Sequence, residues 1–570
     1  RPEDLVRGPD GGISEIWDMP QICATGTLWQ EDVFATISEL MTRYPALDGV
    51  FFNYLHVARC HCSRCQALVL ADTGAPVPEG EEWIPIYERW RQGFLADYMG
   101  RIRALVQCHN PAAATVPYHH VHDGWDIARM AAVSDIVSSQ VSNPLIPNPL
   151  DPQPIWNHWA TEEALTARAL KPTTAPLLIQ TTSEVFASRQ SAMPDARLAH
   201  NLLQAAAHGA STAPATNGLL SAGDTRFRPM LARIGLFLEH NAVIRSEHSR
   251  LWGFDAGRMN GSPSDNGHVA EFRGIFEILV DLGHTPELVL GGALDPAELR
   301  DFDVVIAPAL QCLGDADAAA LDAYVAGGGT LILSADSGRA DAFGTPRTVP
   351  ALAGMPALPG PSRGVDGAYF LRNDPASSSP EGEAVLQGVS QIAAAGLFWT
   401  PFDERQSEDD LHLIGPFRNN APEFTVLPDH GDAPGLIRRD HGAGQAIWLP
   451  WQIGALYHRY GMQEYRALLG DLIARAGADA PVQASAGPAV EAILSRHPDG
   501  HLLHLLNRAS AAARPLAEIN PLAGMSLRIR TSAKHATCLE TQERLGVHRQ
   551  NDWLCFEIDR LDAFKVIALT

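Results

Sequence analysis

Four cysteines have the spacing that most clearly predicts chemistry in this sequence. Cys60, Cys62 and Cys65 have the spacing C-x-C-x2-C, and Cys23 lies upstream in the segment DMPQICATGTLW. Three thiols in one short loop can converge on a single tetrahedral ion, and a distant fourth thiol closes the coordination shell. Closed sulfur coordination favours zinc, and such a site is structural because no position stays open for water. The spacing therefore predicts a structural zinc site.

The same cysteines allow other interpretations. They can be unpaired loop thiols, or one disulfide with a spare thiol, and His61 can replace one ligand. Exposed free thiols at this density are prone to oxidation, which favours the zinc site. The remaining cysteines stand singly, and each is expected to be a small buried apolar residue: Cys108, Cys312, Cys538 and Cys555.

A second group of polar residues follows the ends of predicted strands. Strand ends matter because barrel enzymes build their active sites at the C-terminal ends of parallel strands. A carboxylate there can act as a nucleophile or a proton donor, and amide and imidazole groups can hold a substrate by hydrogen bonds. These strand-end residues are Asn53, His56, His119, His120, Asp123, Gln140, Glu184 and Asn217.

The elements that carry these residues alternate along the first 240 residues. Buried-strand patterns, among them DGVFFN and DIVSSQ, are separated by segments with helical periodicity such as DVFATISELMTRY. Strands that alternate with helices predict a parallel sheet with both faces covered. Five such units are recognisable. A closed (β/α)8 barrel over residues 1–240 needs about three more units, upstream of Arg1 or within residues 1–30. An open doubly wound sheet is the alternative.

Residues 246–475 predict a second α/β domain, of the flavodoxin-like kind. DFDVVIAPAL and TLILSAD are buried-strand patterns, and the helix between them ends at Gly327–Gly329. These glycines follow a helix and precede a strand, the reverse of a dinucleotide-binding fingerprint. They therefore predict a helix C-cap, and no organic cofactor is expected. Residues 340–385 are rich in Pro, Gly, Ser and Ala and predict a long surface excursion.

Residues 487–570 predict a small C-terminal β-sandwich. Short runs with alternating apolar residues follow one another, beginning with VEAILSRHP and DGHLLHLLNR. The turn Pro498-Asp499-Gly500 between these two runs is typical of a hairpin. Several short antiparallel strands in succession favour a sandwich.

Length and charge limit the number of domains and the possible partners. At 570 residues the chain is too long for one core, since single cores stop growing at about 250–300 residues. It has 66 acidic and 43 basic side chains and a net charge of −23, which repels phosphate backbones and anionic membranes. No apolar run approaches the roughly 20 residues that span a bilayer, and no signal-peptide pattern follows Arg1. We therefore expect a cytoplasmic protein that binds neither nucleic acid nor membranes.

Two stretches resemble family 42 glycoside hydrolases. Cys23-Ala-Thr-Gly, Arg43-Tyr44-Pro45, DGVFFNY and Cys60-His-Cys62-Ser-Arg-Cys65 occur in the order typical of that family's barrel and its cysteine-zinc site. DFDVVIAPALQCLGDADAAALDAYVAGGGTLILSADSG, followed much later by WLPWQIGALYHRYG, is similar to the family's trimerisation domain. The resemblance implies a (β/α)8 barrel and an exo-acting, β-galactosidase-like hydrolase of an oligosaccharide or glycoside. It also implies a homo-oligomer, with a trimer favoured.

One residue departs from the family pattern. The family's acid/base glutamate stands at the end of the strand DGVFFN, where this chain has Asn53. An asparagine amide cannot deliver a proton, so its expected role is to orient a sugar hydroxyl. By strand order Glu184 corresponds to the family's nucleophile, and Asp123 is the candidate general acid. Glycoside hydrolysis usually needs two carboxylates, about 5–5.5 Å apart in retaining enzymes and about 6.5–9.5 Å apart in inverting ones.

Two other functions fit the same residues. A non-catalytic sugar-binding or assembly protein would keep the fold after losing the acid glutamate, since a fold does not fix a function. A lyase that uses histidine is the third possibility, given His119, His120 and His122 in one run. This run could also ligate a catalytic metal, although hydrogen bonding to sugar hydroxyls is favoured. Two carboxylates converging at the strand ends would favour the hydrolase.

Overall fold

A computed structural model of the protein describes residues 1–16, 19–53, 55, 57–80, 84–118, 127–141, 156–183, 192–216, 224–240, 253–255, 267–292, 294–355, 357–372, 379–401, 411–415, 433–510 and 518–570. The chain divides into two compact units. Unit 1 comprises residues 1–141, 167–179 and 261–264, and unit 2 comprises residues 142–166, 180–260 and 265–570. No helix in the described ranges is both long enough and apolar enough to cross a membrane.

The first elements form an N-terminal hairpin and a series of strands that are neighbours in chain order. Strands β3 and β4 pair in parallel, with Gly49 opposite Ala114. A parallel bridge joins Tyr118, directly after β4, to Ser138 of β5. The strands are β1 (Glu15–Ile16), β2 (Met19–Pro20), β3 (Gly49–Phe52), β4 (Ala114–Pro117), β5 (Ser138–Val141) and β6 (Leu177–Thr181). The helices are α1 (Val33–Arg43), α2 (Ser63–Thr73), α3 (Pro85–His109), α4 (Ile127–Ala132) and α5 (Trp159–Leu170).

Helices α1 and α3 cover one face of β3. Ile37 and Met41 of α1 are four residues apart and both buried, as the helical periodicity of this segment predicts. Val50 and Phe52 pack on the same core. Because successive strand residues point to opposite faces, Phe51 faces away from these helices, and 46% of its surface is exposed. The α3 residues buried in this core are Leu95, Ala96, Tyr98, Met99, Ile102 and Val106.

In unit 2, helix α6 is buried along most of its length. It shares a core with Phe227 and Met230 of the following segment and with Ile493 and Leu506 of the C-terminal strands. The next elements are α6 (Asp195–Ala207), β7 (Ser211–Ala215), α7 (Arg228–His240) and β8 (Gly253–Asp255). The backbone N–H of Thr182 donates to the Ala215 carbonyl at 3.0 Å, so β7 ends beside the residue that follows β6.

A six-stranded sheet forms the middle of unit 2, in the order β18-β19-β11-β10-β8-β9. Its elements are α8 (Gly267–Asp281), β9 (Glu287–Val289), α9 (Pro296–Leu299), β10 (Val304–Ala307), α10 (Asp315–Ala326), β11 (Thr330–Ser334), β12 (Pro359–Gly364), β13 (Ala368–Arg372), α11 (Pro380–Leu386), β14 (Gln391–Ala394), β15 (Leu397–Pro401), β16 (Leu411–Ile414), β17 (Ala433–Pro434), β18 (Ile437–His441), β19 (Gly444–Leu449), α12 (Ile453–Tyr460) and α13 (Gln463–Arg475).

The parallel part of this sheet has the strand order typical of flavodoxin-like domains. Counted along the chain, its five parallel strands β8, β9, β10, β11 and β19 lie in the order 2-1-3-4-5. Strand β18 pairs antiparallel at the edge. Every residue of β10 and β11 is buried, which accounts for their continuous apolar sequence. Gly327 is the C-cap residue of α10, as predicted.

The surface excursion predicted for residues 340–385 is wrong. Strand β12 pairs with β15, and β13 lies inside the antiparallel sheet β14-β13-β16-β17. Met355 has no exposed surface and Phe370 has 1% exposed, so both belong to the interior. The glycines and prolines of this segment separate short strands, and composition alone does not distinguish that arrangement from an exposed loop.

The last elements form two antiparallel sheets, β20-β23-β26-β25 and β21-β22-β27-β24. Leu494 and Leu503 from one sheet and Leu527 and Phe556 from the other share one core, which is the arrangement of a β-sandwich. His497 pairs with Gly500, so the predicted hairpin turn joins β21 to β22. The strands are β20 (Val482–Ala484), β21 (Val490–His497), β22 (Gly500–Asn507), β23 (Leu522–Arg530), β24 (Ala536–Cys538), β25 (Val547–Gln550), β26 (Trp553–Leu561) and β27 (Phe564–Leu569).

Candidate metal centre and the strand-end face

The four cysteines of the predicted site lie together in unit 1. The Sγ atoms of Cys23, Cys60, Cys62 and Cys65 are all within 4.8 Å of one another. Cys23 Sγ is 3.8 Å from Cys62 Sγ and 3.4 Å from Cys65 Sγ. With Zn–S bonds of about 2.3 Å, tetrahedral geometry separates the sulfur atoms by about 3.8 Å. The cluster can therefore hold a metal ion with small adjustments, and all four thiols are free.

The N-terminal hairpin positions Cys23 against the cysteine loop. The backbone N–H of Cys23 donates to the Asp4 carbonyl at 2.7 Å. The backbone N–H of Arg7 donates to Cys60 Sγ at 3.4 Å, and the Arg7 carbonyl accepts a hydrogen bond from the His61 N–H at 2.8 Å. Backbone groups therefore join the two segments that supply the ligands. The His61 ring contacts the Gln66 amide at 3.2 Å and is not part of the cluster.

Helix α2 positions the other two ligands. Cys62 is the N-cap residue of α2, and its Sγ accepts a hydrogen bond from the Cys65 N–H at 3.5 Å. The partial positive charge at a helix N-terminus favours thiolates in this first turn. Arg64 donates to the Glu3 carbonyl at 2.7 Å and to Asp4 Oδ1 at 3.3 Å, which fixes the start of α2 to the N-terminal segment.

The segment that leads from β3 to the cysteines is fixed to α3. Glu88 of α3 is 3% exposed, and it pairs with Arg59 at 3.1 Å and with Arg91 at 2.5 Å. Arg91 also donates to the Val57 carbonyl at 3.1 Å. Removing one partner of a buried ion pair is strongly destabilising, because it leaves the other charge without compensation. These contacts therefore hold the residues directly before Cys60 in place.

The thiols change the ionisation of one another. Hydrogen bonds from Cys60 and Cys65 lower the pKa of Cys23 far below its ordinary value. The hydrogen bond between Cys60 and Cys23 raises the pKa of Cys60 to about 11. The hydrogen bond between Cys65 and Cys23 raises the pKa of Cys65 still more. One thiolate therefore forms readily, and further thiolates are opposed. A bound cation would remove this opposition, because metal-ligating thiols are deprotonated.

The four single cysteines differ in exposure. Cys538 and Cys555 are buried in the sandwich, as predicted. The prediction is wrong for Cys108, which is exposed near the end of α3, and Cys312 is partly exposed. An isolated cysteine has no spacing pattern that would reveal which face of its element it occupies.

The ends of β3, β4 and β5 bring two predicted polar residues to one face of the sheet. The Tyr118 N–H donates to the Phe52 carbonyl at 3.0 Å, which places Asn53 level with Tyr118. Tyr118 is bridged to Ser138, and Gln140, two residues further along β5, faces the same side. The Tyr118 hydroxyl donates to Gln140 Oε1. Asn53 is exposed on this face, which α1 and α3 leave uncovered.

Solved structures of known proteins are similar to this chain over its whole length. Residues 292–368 match the family model of the β-galactosidase trimerisation domain. The β-galactosidase from Bacillus circulans sp. alkalophilus is similar in structure, with a TM-score of 0.76 and 15% identity over 100% of this chain and 86% of that chain. A GH42 β-galactosidase from G. stearothermophilus has a TM-score of 0.74 and 14% identity over 100% of this chain and 86% of its own. The chain has the fold of the GH42 β-galactosidases.

A protein named for a different glycosidase activity is also similar in structure to this chain. The α-L-fucosidase isoenzyme 2 from Paenibacillus thiaminolyticus has a TM-score of 0.75 and 14% identity, over 100% of this chain and 85% of that chain. Among curated proteins, none has a sequence significantly similar to this chain. The GH42 fold is an α/β fold built on a TIM barrel, which agrees with the parallel neighbours β3, β4 and β5 of unit 1. The domain limits 1–240, 246–475 and 487–570 stay predictions.

The structure describes two of the predicted strand-end residues, Asn53 and Gln140, and brings them to one face. The others lie outside the described residues: His56, His119, His120, Asp123, Glu184 and Asn217. Sequence reasoning missed Tyr118, although it directly precedes the histidine run in ATVPYHH. It also missed Gln180 of β6, which is 1% exposed and donates to the Thr181 carbonyl at 2.8 Å. The available signal for Gln180 was a single amide residue at the end of the apolar run PLLI.

Proposed function

We propose that the protein is an exo-acting glycoside hydrolase of the β-galactosidase type that cleaves a glycosidic bond of an oligosaccharide or glycoside. One observation carries this proposal, the likeness of the whole chain to GH42 β-galactosidases. The trimerisation-domain match at residues 292–368 supports it. Because identity is only 15% or 14%, the likeness establishes the fold, and the reaction depends on the residues at the strand ends.

Two carboxylates are proposed to carry the reaction. Glu184 stands three residues after the end of β6 and would act as the nucleophile on the anomeric carbon. Asp123 follows β4 and would protonate the departing oxygen, then activate water for the second step. A retaining mechanism requires these carboxyl groups to be about 5–5.5 Å apart. A separation of about 6.5–9.5 Å in a ligand-bound crystal structure would instead indicate an inverting mechanism without a nucleophile, and one of more than about 10 Å would contradict the pair altogether.

The remaining strand-end residues are proposed to bind the sugar. Because the Gln140 carbonyl oxygen accepts a bond from Tyr118, its NH2 group is the part available to donate to a sugar hydroxyl. Asn53 lies on the same face and offers both a donor and an acceptor. The other proposed contacts come from His56, His119, His120 and Asn217.

Activity assays with 4-nitrophenyl glycosides test this function. Because one structural relative is named as an α-L-fucosidase, both the β-D-galactoside and the α-L-fucoside should be assayed. We expect hydrolysis of the β-D-galactoside, and Glu184→Gln should lower kcat by several orders of magnitude. Asp123→Asn should cost about 10²–10⁴-fold, mainly on substrates with poor leaving groups. Glu39→Gln changes a carboxylate that is 59% exposed and serves as the matched control.

A non-catalytic sugar-binding protein is the second candidate. The observation that favours it is Asn53 at the end of β3, where the resemblance places an acid/base glutamate. Calorimetric binding of galactose without turnover of any glycoside, in wild type and in Glu184→Gln alike, would support this candidate against the hydrolase. Release of an unsaturated product, seen by its ultraviolet absorbance, would instead indicate a lyase.

Zinc and a trimer complete the proposal. The four thiols suit a soft ion with tetrahedral coordination and no open position, so zinc would be structural and would fix the loop after β3.

The trimerisation-domain match favours a homotrimer, and light scattering at micromolar concentration should give three times the 61.5 kDa of one chain. A monomer would contradict this assembly. A cytoplasmic location stays a prediction.

A further inference from the structure

Thr25 lies against the cysteine cluster where ligands from two different segments meet. Its hydroxyl oxygen is 3.2 Å from Cys23 Sγ and 3.2 Å from Cys65 Sγ. Cys23 comes from the N-terminal hairpin, and Cys65 comes from the first turn of α2. A threonine hydroxyl has one proton, so it donates to one sulfur atom at a time while the other remains within reach. It is therefore placed to bridge the two segments.

Backbone groups supply hydrogen bonds to the other two sulfur atoms. The Arg7 N–H donates to Cys60 Sγ at 3.4 Å, and the Cys65 N–H donates to Cys62 Sγ at 3.5 Å. Together with the Thr25 hydroxyl, these donors give every sulfur atom of the cluster a hydrogen-bonding neighbour. Donors arranged in this way around ligand atoms are typical of a prepared metal site.

The turn that carries Thr25 is fixed by groups other than its hydroxyl. The Gly26 N–H donates to the Cys23 carbonyl at 3.0 Å, and the Thr27 N–H donates to Asp4 Oδ1 at 2.9 Å. A Cβ atom at Gly26 would lie 2.5 Å from Asp4 Oδ1, so the close approach of this turn to Asp4 requires glycine. Replacing the Thr25 hydroxyl with a methyl group therefore leaves these backbone contacts in place.

We propose that Thr25 is a positioning residue of the metal site, whose hydroxyl donates to Cys23 or Cys65 and strengthens the binding of a thiophilic divalent cation. This inference rests on the metal site of the proposed function. Four thiolates around a divalent cation carry a net negative charge, and a hydrogen bond to sulfur disperses part of it. Loss of such an outer-shell partner weakens metal binding about 10–100-fold.

The test compares the full chain of wild type, Thr25→Val and Thr25→Ser. Valine keeps the shape of threonine and removes the hydroxyl, whereas serine keeps the hydroxyl. Zn²⁺ affinity is measured by competition with a chromophoric chelator, and the site is also loaded with Co²⁺ to record its thiolate-to-metal absorption. We expect Thr25→Val to bind Zn²⁺ about 10–100-fold more weakly and to shift the Co²⁺ band. Thr25→Ser should bind Zn²⁺ like wild type.

The possible failures are distinguishable. Equal Zn²⁺ affinity in wild type and Thr25→Val, or equal weakening in both variants, overturns the role of the hydroxyl and leaves the metal site intact. Failure of the wild-type chain to bind Zn²⁺ overturns the metal site and the role of Thr25 together. Neither readout depends on glycosidase activity, so the result is separate from the proposed reaction.

Discussion

Two buried polar clusters, one in each compact unit, contain an acidic group whose pKa is strongly lowered. In unit 1 this group is Cys23, among the other three thiols. In unit 2 it is Glu491 of β21, which is 1% exposed. The Glu491 carboxylate accepts hydrogen bonds from Gln204 at 2.8 Å and from Thr161 at 3.3 Å, and His158 Nδ1 lies 3.4 Å away.

The clusters differ in where their countercharge comes from. Burial opposes the ionisation of Glu491, but the attraction of His158, together with His200 and Arg508, holds its pKa below the ordinary value. Arg508 also pairs with Asp281, so the protein supplies its own cation to this cluster. The cysteine cluster brings four acids together, and each thiolate that forms opposes the next. The Glu491 cluster is complete as folded, whereas the cysteine cluster would gain by binding a cation.

This difference limits what a shifted pKa can reveal. Strongly shifted groups occur at functional sites and in structural ion-pair networks alike. The useful distinction is whether the neighbours that shift the pKa of a group also neutralise its charge. Glu491 is neutralised by residues of its own chain and is therefore assigned to structure, whereas the geometry of the four cysteines could hold a metal ion.

The largest expected effect is loss of the metal. We expect Cys65→Ser to remove the stoichiometric zinc, because a serine hydroxyl is a poor ligand for a soft ion. Structural zinc provides about 10–16 kcal/mol of binding free energy in zinc-finger peptides, more than any change expected at the ionic cluster. Metal analysis of the purified chain checks this, with Cys108→Ser as the control because Cys108 is exposed and outside the cluster. Equal zinc content in wild type and Cys65→Ser would contradict the prediction.

The next effect in size is the loss of the internal cation. Arg508→Met should destabilise the fold by roughly 3–5 kcal/mol, because it leaves Glu491 and Asp281 buried without their arginine. Zinc content should not change. Equilibrium unfolding in urea measures the decrease in the free energy of unfolding.

A matched surface pair provides the control for this variant. Arg560 pairs with Asp562, and their side chains are 64% and 66% exposed. Arg560→Met should therefore cost no more than about 1 kcal/mol. Similar losses in both variants would show that the ionic cluster is not the completed network inferred here.

The two clusters also show what the sequence could predict. Cys60, Cys62 and Cys65 lie within six residues of one another along the chain, so their spacing is visible in the sequence. The ionic cluster joins His158, His200, Glu491 and Arg508, which are far apart along the chain and have no local pattern. Its members come together only when α6, the segment before α5 and the C-terminal strands are in contact.

The same distinction holds for the fold. Segments such as α1 and β11 were predictable within a few residues, because the periodic apolar residues of α1 and the continuous apolar run of β11 are visible in their own sequences. Residues 340–385 were not, because their short strands are stabilised by partners elsewhere in the chain. The contact between Tyr118 and Gln140 was missed for the same reason, since it depends on the register of neighbouring strands.

A further buried carboxylate, Glu271, tests whether neutralisation by a neighbouring cation is the deciding factor. Burial raises the pKa of Glu271 to about 7, although the Ala455 N–H donates to it at 2.8 Å. Below the ordinary pKa of 4.5, Glu271 is protonated in both folded and unfolded chains and burial carries no ionisation cost. The cost increases as the pH rises through this range and is complete above about pH 7.

Replacing Glu271 with glutamine should therefore stabilise the protein at high pH. One pKa unit corresponds to about 1.4 kcal/mol, so the gain for Glu271→Gln should reach at most roughly 3 kcal/mol at pH 8 and be near zero at pH 4.5. Urea unfolding across this pH range measures it. Glu298→Gln, at an exposed position, should show no such trend. A gain that is independent of pH would rule out ionisation as the cause.

The smallest expected effect compares one substitution in the two clusters. Thr161 is 1% exposed and donates to Glu491 Oε1 at 3.3 Å, much as Thr25 donates to sulfur in the cysteine cluster. Thr161→Val should cost only about 1 kcal/mol of unfolding free energy, because Glu491 keeps its bond from Gln204 and its neighbouring cation. It should not alter zinc affinity, whereas Thr25→Val should weaken it. Urea unfolding and chelator competition, applied to both variants, check the pair. A loss for Thr161→Val as large as that for Arg508→Met would mean that hydrogen bonds stabilise the Glu491 carboxylate as much as the charge of the arginine does.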